Sequence, residues 1–136
     1  MNRSLDGISI LIVEDEIIIG LMLAKELGRA GSKPIGPVTS VVDAFKQIEC
    51  GGVDAVVLDA KLVDGSGAAL AACLKERRIP FVVVSGYEKE NLPEELRDAP
   101  FVAKPVSLPA LVDAIKSLCA SSQVTDASSR VYNCPL

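Results

Sequence analysis

The chain has 136 residues, no histidine, a formal net charge of −4, and 49% hydrophobic against 24% charged residues. That length suits one domain with its own core, and the mix is that of a soluble globular protein. The acidic balance argues against nucleic acid as a direct partner, because binding a phosphate backbone needs a basic face; the lack of histidine excludes histidine-ligated zinc, Ser-His-Asp and Cys-His catalysis, and a phosphohistidine carrier.

In chain order, the first run is Ile8-Ser9-Ile10-Leu11-Ile12-Val13, which reads as a strand buried on both faces. It stops at Glu14-Asp15-Glu16, too short for the apolar region of a signal peptide or for a membrane span of about 20 residues, so a cytoplasmic location is expected. Residues 16–30 read as a helix with an apolar face of Ile17, Leu21, Ala24 and Leu27, stopped by Gly31. Ile35-Gly36-Pro37-Val38 is the weakest strand; Pro37 lacks an N–H, which puts it at a sheet edge. A helix over 41–50 comes next, with Ser40 as N-cap, Asp43 three positions on, and Val41, Ala44, Phe45 and Ile48 facing inward.

A second buried run, 53–58, precedes an alanine-rich helix over 67–78. Phe81-Val82-Val83-Val84 is the next strand, then a short acidic helix over 93–98 and the brief strand Phe101-Val102-Ala103. The last helix, 108–119, carries Leu108, Leu111, Val112, Ile115, Leu118 and Cys119 on one stripe, with Ser107 as its cap. Residues 1–120 are therefore expected to form the domain. The Ser-rich, unpatterned 121–136 is expected to be a flexible tail. Cys50, Cys73, Cys119 and Cys134 are widely spread without a Cys-x-x-Cys pair and read as free thiols.

This pattern is βα repeated about five times. Right-handed crossovers turn it into a doubly wound α/β fold, a five-stranded parallel sheet with helices on both faces. Sites in such sheets lie beyond the carboxyl ends of the strands. The strands here lead into Glu14-Asp15-Glu16, then Asp59-Ala60-Lys61, then Ser85-Gly86-Tyr87, then Lys104-Pro105. Taken singly, the acidic triplet could merely complement a helix dipole. Ser85-Gly86 could be an ordinary turn and Lys104 a surface lysine. Placed together, three acids, a hydroxyl and a lysine converge on one end of one sheet. Clustered carboxylates need a cation, and an all-oxygen set without His or Cys favours Mg²⁺. An Asp59 carboxylate so placed could attack phosphorus, with a lysine and a hydroxyl aimed at the phosphoryl oxygens.

These same residues resemble the response regulator receiver family over 7–119. Asp59-Ala60-Lys61-Leu62-Val63-Asp64-Gly65-Ser66-Gly67 is similar to that family's phosphoacceptor loop, and the acids after Val13, Ser85 and Lys104-Pro105 match its other motifs in order. The resemblance implies a flavodoxin-like (βα)5 fold of strand order 2-1-3-4-5. It implies Asp59 as phosphoacceptor, and Mg²⁺ held by the Asp15 and Asp59 carboxylates and the Lys61 backbone carbonyl, with Glu14 acting through water. It implies phosphate contacts from Lys104 and Ser85, a cis peptide at Pro105, and a switch formed by Ser85, Gly86, Tyr87, Phe101 and Pro105. The donor would be a sensor histidine kinase or a histidine phosphotransfer protein and the target a downstream protein, with neither nucleic acid nor membrane as partner and no enzymatic turnover. Pro80-Phe81-Val82-Val83-Val84-Ser85-Gly86-Tyr87 also resembles the Pro-Phe-x-Phe-x-Thr-Gly-Tyr run of an alphaproteobacterial receiver subfamily, departing from it at Val83, Ser85 and Phe101.

Three rival functions fit these residues less well. A dehalogenase-like aspartyl phosphatase needs an acid two residues after its nucleophile, where this chain has Lys61. A receiver-like interaction module without phosphorylation fits poorly with an intact set of Glu14, Asp15, Asp59, Ser85 and Lys104. A flavodoxin-like FMN binder would have its phosphate repelled by the acidic first loop.

Overall fold

A computed structural model of the chain describes residues 5–62, 65–86, 92, 94–97 and 99–122. Strand β1 is Ser9–Val13, helix α1 Ile17–Arg29, β2 Lys33–Val38, α2 Val41–Cys50 and β3 Ala55–Asp59. A small ribbon comes next, β4 (Lys61–Leu62) with β5 (Gly65–Ser66), then α3 (Ala68–Glu76), β6 (Phe81–Ser85), α4 (Glu94–Arg97), β7 (Phe101–Ala103) and α5 (Leu108–Ser122).

The main sheet is parallel, in the order β2-β1-β3-β6-β7. Counted within that sheet alone, this is 2-1-3-4-5; the antiparallel β4–β5 ribbon, which the sequence does not announce, only shifts the labels. Alternate residues of the strands supply two cores, as the period of two requires. Leu11, Val13, Val56, Leu58, Phe81 and Val83 pack with Ala44 and Ile48 of α2, Leu70 and Leu74 of α3 and Leu96 of α4. Ile10, Ile12, Ala55, Val57, Val82 and Val84 pack with Leu23 and Leu27 of α1 and Leu111 and Ile115 of α5.

The helix signals act as expected at α2 and α5. The Ser40 hydroxyl accepts a hydrogen bond from the Asp43 N–H at 3.1 Å, and the Ser107 hydroxyl accepts one from the Ala110 N–H at 3.4 Å. Helix α3 ends with Ile79 N–H bonded to the Leu74 carbonyl and Arg78 N–H to the Lys75 carbonyl. That left-handed cap usually takes glycine, and here Arg78 holds φ +60°.

Helix α1 departs from the expected face. Gly20, Leu23 and Leu27 are buried, while Ile17 and Leu21 are exposed. Its first half, Ile-Ile-Ile-Gly-Leu-Met-Leu, is apolar nearly all round, so periodicity cannot choose the inward stripe. Gly20 decides it, because a Cβ there would lie 2.6 Å from the Pro37 Cβ. Strand β2 begins two residues earlier than expected and sits at the sheet edge, as Pro37 requires. Leu11 pairs with Ile35 but Val13 with Val38, so Gly36 and Pro37 form a bulge opposite Ile12. Gly36 takes φ +90°, where a Cβ would lie 2.6 Å from the Val38 nitrogen. Helix α5 runs to Ser122, two residues into the expected tail; the remaining tail residues, with Cys134, lie outside the described residues. Cys50, Cys73 and Cys119 are free. Among the described residues no helix is long and apolar enough to cross a membrane.

Candidate functional site

Asp59 is the last residue of β3 rather than the first beyond it. It pairs with Val84 of β6 in the middle of the sheet and is only 3% exposed. Every residue of β3 is buried, and both neighbouring strands are hydrogen-bonded to it, so the carboxylate stands at the centre of the sheet. Its Oδ1 accepts the Lys61 N–H at 3.0 Å, which turns the chain into the ribbon.

The acids after β1 meet it from the next strand. One carboxylate oxygen from each of Glu14, Asp15 and Asp59 lies within 4.8 Å of the others. Glu14 is buried; its N–H donates to the Val38 carbonyl at 3.0 Å, so the bulged edge strand fixes where it leaves the sheet. Lys104 arrives from the far edge, its N–H donating to the Ser85 carbonyl at 2.9 Å. Its Nζ lies 3.1 Å from Glu14 Oε1, 3.4 Å from Asp59 Oδ2 and 3.5 Å from Glu16 Oε1. The Lys104-Pro105 peptide is cis.

The electrostatics result from this crowding. Burial, reinforced by hydrogen bonding with Glu14 and Asp15, pushes the Asp59 carboxyl up to about 8. Burial also works to raise Asp15, but hydrogen bonds with Asp59 and Glu14 and the charge of Lys104 outweigh it and hold Asp15 below the ordinary aspartate value. At Lys104 burial disfavours the ammonium. The hydrogen bond to Glu14 and the charges of Asp59 and Glu14 prevail, and its pKa stands above the usual lysine value. Crowding that raises the Asp59 pKa marks a place short of positive charge. Three hard oxygen donors without His or Cys suit Mg²⁺.

The other expected residues are placed less tightly. Ser85 is buried as the last residue of β6, adjoining Lys104 through its backbone. Gly86 is exposed, with nothing within 4 Å of a Cβ built on it. Phe101 opens β7 opposite Val83, half-buried against the α2–α3–α4 core, and Pro105 is exposed. Tyr87 lies outside the described residues. Glu16, to which sequence reasoning gave no separate role, joins the group on Lys104; the only signal was its place in the acidic triplet.

The model of the response regulator receiver domain family matches residues 10–116. The transcriptional regulatory protein PdtaR of Mycobacterium tuberculosis is 32% identical over 111 residues, which is 79% of this chain and 54% of that protein. The swarming motility regulation protein RssB of Serratia marcescens is 31% identical over 115 residues, 81% of this chain and 52% of that protein. The chain thus spans about half the length of both relatives. The solution structure of SdrG from Sphingomonas melonis Fr1 is 34% identical, with a TM-score of 0.72 and coverage of 85% of this chain and 97% of that one.

Proposed function

The chain belongs to the response regulator receiver domain family, and from that premise we propose that it accepts a phosphoryl group on Asp59 from a phosphohistidine donor and signals by a change of shape. The observation that carries this is the pairing of a buried Asp59 with the Glu14 and Asp15 carboxylates within 4.8 Å and the Lys104 ammonium at 3.4 Å. In the step, an Asp59 carboxylate oxygen forms a bond to phosphorus as the phosphorus–nitrogen bond breaks, and its electron pair leaves with the imidazole. The Lys104 ammonium exchanges a carboxylate for the phosphoryl oxygens, and the Ser85 hydroxyl hydrogen-bonds them. Asp15, Asp59 and the Lys61 carbonyl would hold Mg²⁺, with Glu14 beside them; bound there, the ion would supply charge neutralisation for the phosphoryl oxygens.

The donor's approach is suggested by α1, which starts at the mouth of the site directly after Glu16. Ile17, Ile18, Leu21 and Met22 are exposed on it, Ile18 by 80%. Apolar side chains gathered on one helix are a feature of protein-binding surfaces. The output reading runs through Ser85, Gly86, Tyr87, Phe101 and Pro105: closing Ser85 and Lys104 on phosphate would bias β7 and Phe101 inward and change the α4–β7–α5 surface for a downstream protein. We read the chain as a cytoplasmic signalling module that turns over no substrate.

Mass spectrometry after treatment with acetyl phosphate and Mg²⁺ tests the acceptor. One phosphoryl mass is expected on the wild type and none on Asp59→Asn; equal labelling of the two would overturn the assignment. Amide shifts of Ser85 and Phe101 with a beryllofluoride mimic test the switch, which fails if they do not move.

A further inference from the structure

Resting on Asp59 as the acceptor, we propose that Glu16 is a positioning residue that holds Lys104 back in the unmodified protein and so limits how fast Asp59 takes phosphate. Glu16 occupies the N-cap of α1, where an acidic side chain ordinarily accepts hydrogen bonds from the first free N–H groups of a helix. Here its side chain caps nothing. It is turned instead toward Lys104, bringing Oε1 to 3.5 Å from Nζ.

Glu16 acts on the lysine in two ways. Its carboxylate contacts Nζ directly, and its backbone N–H donates to Glu14 Oε2 at 3.1 Å, steadying the carboxylate that makes the shortest contact to Nζ, 3.1 Å. At its other end Lys104 is anchored to the Ser85 carbonyl, so its ammonium lies where these carboxylates draw it. The Glu14 and Asp59 side chains are buried, whereas the Glu16 side chain is 62% exposed. To reach an incoming phosphoryl group, Lys104 must release some of these contacts. A mostly exposed ion pair shifts such an equilibrium by no more than about fivefold, so the residue tunes a rate and does not abolish it.

The test must separate a tether from simple repulsion between Glu16 and an anionic donor. Glu16→Gln removes the charge while keeping the length; Glu16→Asp keeps the charge but shortens the reach by one methylene. Rate constants for Asp59 phosphorylation are measured on the full chain with Mg²⁺, using acetyl phosphate and the less negatively charged phosphoramidate. The tether predicts that both variants react roughly two- to fivefold faster, by the same factor with either donor. Acceleration of Glu16→Gln alone, and mainly with acetyl phosphate, would mean repulsion and would overturn the proposal. So would unchanged rates in both variants, with the acceptor reading left standing. No labelling of the wild type would remove both readings together.

Discussion

Strands β3 and β7 both deliver a side chain to the site, and they do so from opposite mechanical situations. β3 has five residues, all buried, with a hydrogen-bonded strand on each side, and its last residue is Asp59. β7 has three residues of uneven burial and one neighbour, β6; Lys104 comes directly after it. On the proposed function, the group that would receive phosphorus in one fixed geometry is thus set in the centre of the sheet. The group that would trade one set of anions for another hangs from its edge. Precision and adjustability are divided between the middle of the sheet and its margins.

That contrast breaks first if the two strands cost the same to damage. Leu58→Ala, next to Asp59 and fully buried, is expected to lower the unfolding free energy by about 3 kcal/mol in urea titration, whereas Phe101→Leu on β7 should cost less than about 1.5 kcal/mol. Equal losses would mean that β7 is as rigid as β3.

The buried acid gives the next largest effect. The folded-state pKa of Asp59, about 8, lies above the unfolded value, so between the two the folded chain holds a proton that the unfolded chain has released. Metal-free stability therefore falls as pH rises through this window, and Asp59→Asn escapes the loss. Thermal melts should show the variant gaining on the wild type from pH 6 to pH 8, by on the order of 2 kcal/mol, with little further change above. A constant gap would show that Asp59 is ionised throughout.

The second edge strand sharpens the comparison on the other side. Gly20→Ala would put a Cβ against Pro37 and press on the bulge whose Val38 carbonyl holds the Glu14 N–H. A loss of roughly 1–3 kcal/mol is expected, with weaker Mg²⁺ binding beside it. A destabilised variant that binds Mg²⁺ normally would show that β2 does not steady Glu14.

Ile18→Asp on the outer face of α1 should change stability by no more than about 0.5 kcal/mol. Labelling by acetyl phosphate should be unaffected, while transfer from a phosphohistidine donor protein falls roughly tenfold, the size of one lost interface anchor. Equal loss with both donors would exclude α1 as the docking surface.

Much of this molecule was legible along the chain. Largely apolar runs rich in β-branched residues at 8–13, 53–58 and 81–84 announce strands covered on both faces, because a doubly packed sheet removes such runs from water. Ser40 and Ser107 announce their helices because a cap acts over three residues. The residues at the end of each strand are also read locally, and so Asp59, Glu14, Asp15, Ser85 and Lys104 could be named together once the sheet was expected to be parallel. The inward face of α1, the β2 bulge, the β4–β5 ribbon and the hold of Glu16 on Lys104 were decided by the tertiary structure. A helix apolar on most sides has no periodic stripe to read, and Gly20 chooses its face only by meeting Pro37 across the fold. Lys104 lies 88 residues from Glu16 in sequence, and their contact exists only because the first and last strands of the site bring both to the same end of one sheet.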